Sequence, residues 1–204
     1  MKKCLLFLFI ISNFCFSQTT DHDKVRDYFN RGIDKAESKD YRGAIADYSK
    51  AIKLDPNNSE TYYSRGIAKF EIKDYSSAIE DYTIAIKLNS NYVNAYNNRG
   101  FTKYMLKDYE GALEDCNKAI RIDPNHAYAY SNRGSARKEL KDYEGALIDY
   151  NKAIRLDPNY VIAYYNRGIV KYELGNLSEA CSDFKKAKSL GYEDASGYIA
   201  LCCN

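Results

Sequence analysis

Two histidines, four cysteines beyond residue 17 and a recurring set of arginines, aspartates and asparagines are the groups here that could do chemistry. Neither His22 nor His126 has an acid or a cysteine at ligand spacing, so neither reads as a general base or a metal ligand. His126 follows Pro124-Asn125 in a polar stretch and reads as a solvated turn residue. Cys116, Cys181, Cys202 and Cys203 do not have the spacing of a zinc site. The serines show no nucleophile-elbow pattern, and there is no phosphate loop and no GxGxxG. Acidic residues are abundant, but most recur at a fixed interval, which suits a structural task better than a unique catalytic centre. The expectation is a protein that is not an enzyme, with no catalytic residue, no metal, no cofactor and no small-molecule substrate.

The interval itself organises the chain. Gly32, Gly66, Gly100, Gly134 and Gly168 each follow an arginine and stand 34 residues apart, without insertion or deletion. A fixed period of this size signals a repeat solenoid. Within each period two apolar patterns of helical spacing flank a short polar turn. Residues 94–106 carry Ala95, Tyr96, Phe101, Tyr104 and Met105, and residues 110–122 carry Ala112, Leu113, Cys116, Ala119, Ile120 and Ile122 at three- and four-residue spacing. Asp123-Pro124-Asn125 closes the unit, with proline just beyond the helix end.

Ahead of the repeats, Met1-Lys2-Lys3 is a basic start, Leu5 to Ile11 an unbroken apolar run, and Ser17 a small residue before polar Gln18. This is the layout of a secretory signal peptide over residues 1–17. The run from Cys4 to Phe16, interrupted by Ser12 and Asn13, falls short of the ~20 residues of a spanning helix, so no stable membrane insertion is expected after cleavage. Removing residues 1–17 takes away two lysines and no acids, leaving 28 basic and 28 acidic residues and a formal charge of zero. A nucleic-acid partner, which needs a basic patch or stripe, is not expected. An exported chain meets an oxidising compartment in which disulfides are allowed.

The unit resembles the tetratricopeptide repeat, a 34-residue helix-turn-helix. Tyr28, Tyr62, Tyr96, Tyr130 and Tyr164 stand at that family's tryptophan place. Ala44, Ala78, Ala112, Ala146 and Ala180 are followed by Tyr48, Tyr82, Cys116, Tyr150 and Phe184 at its aromatic place, and Ala51, Ala85, Ala119, Ala153 and Ala187 recur at the next small site. The resemblance implies an all-α, right-handed superhelical solenoid of five repeats, 25–58, 59–92, 93–126, 127–160 and 161–194. Residues 18–24 are expected to be a flexible segment. Residues 195–204 are expected to form a short C-terminal helix that caps the exposed face of the last repeat. A bond from Cys181 to Cys202 or to Cys203 is plausible there, while Cys116, in an aromatic's place, is expected buried and unpaired.

The family implies that the first helices line a concave groove that takes an extended peptide or a partner's helix. On this chain the groove candidates are Tyr63, Asn97, Asn98, Phe101, Asn132, Tyr165 and Asn166. Asparagine carries both donor and acceptor, so a ladder of them suits a peptide backbone. The expected function is a protein-interaction scaffold, exported to the periplasm or secreted, with a protein or peptide partner. The alternative is a structural subunit or assembly factor of a cell-envelope complex that binds through its convex face or edges.

Two departures from the family carry opposite charge. Arg31, Arg65, Arg99, Arg133 and Arg167 stand where it usually has leucine, and Asp47, Asp81, Asp115, Asp149 and Asp183 recur in the second helices. They are expected to pair. Because the leucine site faces the preceding unit, the expected pairs are inter-repeat: Asp47 with Arg65, Asp81 with Arg99, Asp115 with Arg133 and Asp149 with Arg167; the competing geometry pairs each arginine with the aspartate of its own repeat.

Overall fold

The computed structural model describes residues 21–203. The expected signal peptide, residues 1–17, lies outside them, as do residues 18–20. All of the described elements are helices: α1 over residues 21–37, then α2 (Tyr41–Leu54), α3 (Ser59–Glu71), α4 (Tyr75–Leu88), α5 (Val93–Met105), α6 (Tyr109–Ile122), α7 (Ala127–Glu139), α8 (Tyr143–Leu156), α9 (Val161–Glu173), α10 (Leu177–Ser189) and α11 (Ala195–Cys202). The segment expected to be flexible over 18–24 is therefore helical from residue 21 onward, as the upstream end of α1. The chain divides into two compact units, Met1–Ser90 and Asn91–Asn204.

Local chemistry sets the helix ends. In the first unit Lys39 and Lys73, and in the second Lys107 and Lys141, hold the left-handed conformation at φ 63 to 66°. Such a residue stops the preceding helix. The aspartate that follows is the N-cap of the next: the carboxylate of Asp108 accepts from the Gly111 N–H at 3.0 Å, and that of Asp142 from the Gly145 N–H at 2.9 Å. Second helices stop at Asp55, Asp123 and Asp157, whose carboxylates accept from the N–H two residues on, around Pro56, Pro124 and Pro158.

Within each unit the helices pack as hairpins that stack in chain order. In the first unit α3 packs on α4 and α2 on α3. In the second, α5–α6, α7–α8 and α9–α10 are the hairpins, α6 meets α7, and α8 meets α9. No hairpin covers both of its own apolar faces, so its neighbour must. The contact inside a hairpin is a notch: the Gly66 backbone lies against the buried Tyr82 ring, and Gly168 against Phe184. α11 closes the second unit, with the Tyr198 ring stacked on Phe184 at 4.7 Å between centroids and a disulfide joining Cys181 of α10 to Cys203. Cys116 is buried and free, and burial pushes its thiol up to about 12.

The arginines and aspartates pair inside each hairpin, not between repeats as expected. Arg65 donates to Asp81 through Nε at 2.8 Å and Nη2 at 2.7 Å, and Arg99 to Asp115 at 2.9 and 2.6 Å. Arg133–Asp149 and Arg167–Asp183 repeat this two-point geometry. The glycine notch is the cause. Gly66 and Tyr82 touch across the hairpin, so the residues just before each of them, Arg65 and Asp81, face one another too. The expected reach to the preceding hairpin survives in the third nitrogen: Nη1 of Arg65 donates to Ser49 Oγ at 2.9 Å, and Nη1 of Arg133 to Asn117 Oδ1 at 2.7 Å. Each guanidinium also lies over a first-helix tyrosine, as Arg133 does over Tyr130 at 5.4 Å. Such contacts typically contribute ~0.5–2 kcal/mol.

Arg31 is the weakest of the series, reaching Asp47 at 3.2 Å while Lys35 and Lys50 come to 2.7 and 3.0 Å. Burial alone would raise the Asp47 carboxyl, but the hydrogen bonds from Lys35 and Lys50 and the charge of Arg31 hold it below the usual value. A depressed folded pKa stabilises the fold above the unfolded value, ~3.9, and that contribution is lost as the pH falls through the folded value. The wild type should therefore lose urea resistance below about pH 4 more steeply than Asp47→Asn does. Parallel curves for the two proteins would remove Asp47 from the acid response.

Candidate functional site

The first helices of the second unit meet one another directly, α5 with α7 and α7 with α9. Their exposed sides enclose a cleft of about 370 Å³ lined by Asn97, Asn98 and Phe101 of α5, Tyr128 and Asn132 of α7, and Tyr160 and Ile162 at the start of α9. Side chains at i, i+3 and i+4 share a helix face, and Phe101 stands four residues after Asn97 and three after Asn98, as Asn132 stands four after Tyr128.

The amides are linked to one another. Asn132 Nδ2 donates to Asn97 Oδ1 at 2.9 Å, across from α7 to α5, and Asn97 Nδ2 donates to Asn98 Oδ1 at 3.1 Å. Asn97 is buried, whereas Asn98 and Asn132 are half-buried. Asn97 is thus the keystone that orients the other two. Asn166 lies one helix further on, its Nδ2 3.5 Å from Ser135 Oγ, which in turn shares a 3.1 Å hydrogen bond with the buried Tyr150 hydroxyl.

The apolar side of the cleft comes from Phe101, Tyr128, Tyr160 and Ile162. Phe101 is 37% exposed and Tyr128 54%. The Tyr128 ring meets Tyr160 edge-on at 4.8 Å, and burial pushes the Tyr160 phenol up, so it stays a neutral hydroxyl. Tyr128, Tyr160 and Ile162 were not among the sequence candidates. Tyr128 stands four residues before Asn132, and that helical spacing is the signal that could have found it.

The other candidates lie elsewhere. Tyr165 packs against Tyr192 at 4.6 Å, Phe184 at 5.8 Å and Tyr198 at 5.9 Å, so the C-terminal segment takes its ring into the core. Tyr63 belongs to the first unit, where its ring meets Tyr82 at 5.9 Å. That unit has its own cleft, of about 360 Å³, but with Asp21, Arg26, Asp55 and Glu60 in its lining.

His126 is not the solvated turn residue expected. It is the N-cap of α7: Nδ1 accepts from the Ala129 N–H at 3.2 Å, and Nε2 lies 3.1 Å from Asn94 Oδ1. An accepting Nδ1 leaves the proton on Nε2, so the ring is neutral, and burial lowers its pKa accordingly. Its ring flanks Tyr128 at 5.9 Å. Amides, phenols and hydrocarbon, the groups lining the cleft, hydrogen-bond and stack.

Comparison with known proteins agrees with this architecture. Sequence profiles described as TPR repeat match residues 35–73, 68–107 and 134–175, and profiles described as tetratricopeptide repeat match 93–126, 116–148 and 161–190. No curated protein matches the chain. Among solved structures, MamA is 29% identical and superposes with a TM-score of 0.70 over 80% of this chain and 96% of its own. YrrB, described as a TPR protein with an unusual peptide-binding site, is 20% identical, with a TM-score of 0.69 over 91% of this chain and 96% of its own. PilW, a widely conserved type IV pilus biogenesis factor, is 22% identical, with a TM-score of 0.75 over 81% and 77%. The last two are likenesses of fold alone. With profiles spanning residues 35–190 and helix hairpins stacked as the repeat requires, the chain belongs to the tetratricopeptide repeat family.

Proposed function

We propose that this protein is an exported scaffold that holds an extended segment of a partner protein in the α5–α7–α9 cleft. Membership of the repeat family supports a protein-interaction scaffold in general. The finer reading rests on one observation: exposed aromatic rings, Phe101 and Tyr128, stand beside an oriented pair of amides, Asn98 and Asn132, in one cleft. An extended peptide offers its backbone N–H and C=O to the amides, whatever its side chains, while one apolar side chain enters between the rings. Aromatic residues commonly dominate such binding. Export is supported by the basic start and apolar run before residue 17 and by the Cys181–Cys203 bond, which suits an oxidising compartment.

A peptide selected on the wild-type protein from a displayed random library provides the probe. Tyr128→Ala should weaken its binding by more than tenfold, about the 2 kcal/mol of a hot-spot aromatic, with the melting temperature unchanged because the ring is more than half exposed. Asn132→Ala should lower both affinity and stability, since it takes from the buried Asn97 Oδ1 the donor it has on α7, at ~1–3 kcal/mol. Wild-type affinity in the Tyr128→Ala variant would remove the cleft from the account.

A further inference from the structure

Cys181 is separated in sequence from Cys202 and Cys203, but α11 folds back on α10 and brings the three sulfurs within 4.8 Å of one another. Cys181 and Cys202 are more than nine-tenths buried, and Cys203 is partly so. The Cys181–Cys203 disulfide leaves Cys202 as a free thiol, its Sγ 4.0 Å from Cys203 Sγ. Two cysteines are enough to pin the cap, and the disulfide gives the third no task. Sulfurs bound to one metal ion at ~2.3 Å stand ~3.8 Å apart, close to the Cys202–Cys203 separation.

We propose that the reduced cap binds one Cu(I) ion through the thiolates of Cys181, Cys202 and Cys203. Among the described residues the donor set is sulfur throughout, with no imidazole or carboxylate in the cluster. Soft thiolates select Cu(I), whereas a closed zinc site needs a fourth protein ligand. A dithiol reductant supplies two electrons and two protons to the Cys181–Cys203 disulfide, which becomes two thiols while the dithiol becomes a disulfide. Three thiols then lose three protons as three S–Cu bonds form, and copper stays monovalent throughout. The two states exclude one another because they use the same sulfurs, yet each ties α11 to α10.

The exported chain, reduced with a phosphine and desalted without oxygen, is titrated with Cu(I) against a chromogenic copper chelator. Expected are one high-affinity ion per reduced chain and none on the disulfide form. Cys202→Ser should weaken binding by at least the ~10–100-fold that disturbing a ligand's surroundings costs; Cys181→Ser should do the same, and Cys116→Ala should change nothing. Circular dichroism establishes that each variant retains its helices. Reduced protein that takes up no copper, equal uptake by the disulfide form, or wild-type affinity in Cys202→Ser would each overturn the proposal.

Discussion

Arg133→Leu should destabilise the protein by ~3 kcal/mol, the lower end of what breaking a buried ion pair costs. The carboxylate it abandons, Asp149, is fully buried. It would retain only Arg137, at 2.9 Å, and that remaining partner is why the loss is not larger. The substitution also removes the bond to Asn117 on the preceding hairpin. The effect is asymmetric. Asp149→Leu alone should cost less, because the Arg133 and Arg137 side chains are 16% and 28% exposed and their head groups can turn to water on flexible stems. The double variant Arg133→Leu/Asp149→Leu should recover most of the loss, since a buried pair replaced by apolar residues of similar volume is often neutral. Asp115→Leu in the Arg133→Leu background should recover nothing, because Asp115 is held by Arg99 and Lys103. Chemical denaturation of the five proteins tests the cycle. Rescue by Asp115→Leu would mean that the charges pair between hairpins after all.

Gly66→Ala should cost ~1–3 kcal/mol, although alanine is the better helix former by ~1 kcal/mol. An added Cβ would stand 2.7 Å from Tyr82 Cε1 and 2.9 Å from its Cδ1, and the ring is buried with no room to swing away. Gly100→Ala makes an informative comparison. Opposite Gly100 the aromatic is replaced by Cys116, yet the nearest atoms still lie 3.1 to 3.2 Å away, and one of them is the Ala112 carbonyl oxygen. The smaller partner leaves no cavity to fill, so Gly100→Ala should also destabilise, by less than Gly66→Ala. Thermal unfolding of the two variants beside the wild type gives the ranking. A Gly66→Ala protein as stable as the wild type would show that the notch is not tight.

Much of the fold was legible because its signals are local. The RG period marks each hairpin, the Lys-Asp pair marks the turns at 39–40, 73–74, 107–108 and 141–142, and Asp-Pro-Asn marks the stops at Asp55, Asp123 and Asp157. The charge pairing could also have been read from the sequence. Gly66 lies sixteen residues before Tyr82 and Arg65 sixteen before Asp81, so one close approach implies the other. The leucine place of the family pointed the arginines toward the preceding unit, and only their Nη1 atoms go there.

The candidate site was legible in part. Asn97, Asn98, Phe101 and Asn132 fell into one cleft because they occupy neighbouring columns of the first helices. Tyr128 and Ile162 stand one turn earlier, in a column that also contains Glu60 and Arg26, so its apolar character is confined to two units and the period does not reveal it. Tyr165 went to the core because Tyr192 and Tyr198 cover it, and those rings lie in the part of the chain where the period ends. The same holds for the cysteines, whose sulfurs are gathered by the return of α11 and not by sequence spacing.

The central claim is that a partner's segment is held by the first helices of the second unit. Amide hydrogen exchange of the protein with and without the selected peptide reads this directly. Binding should slow exchange along α5, α7 and the start of α9, around Asn98, Phe101, Tyr128, Asn132 and Ile162. It should leave α6 and α8 unaffected. Slowing confined to the second helices, or to the first unit, would contradict the account.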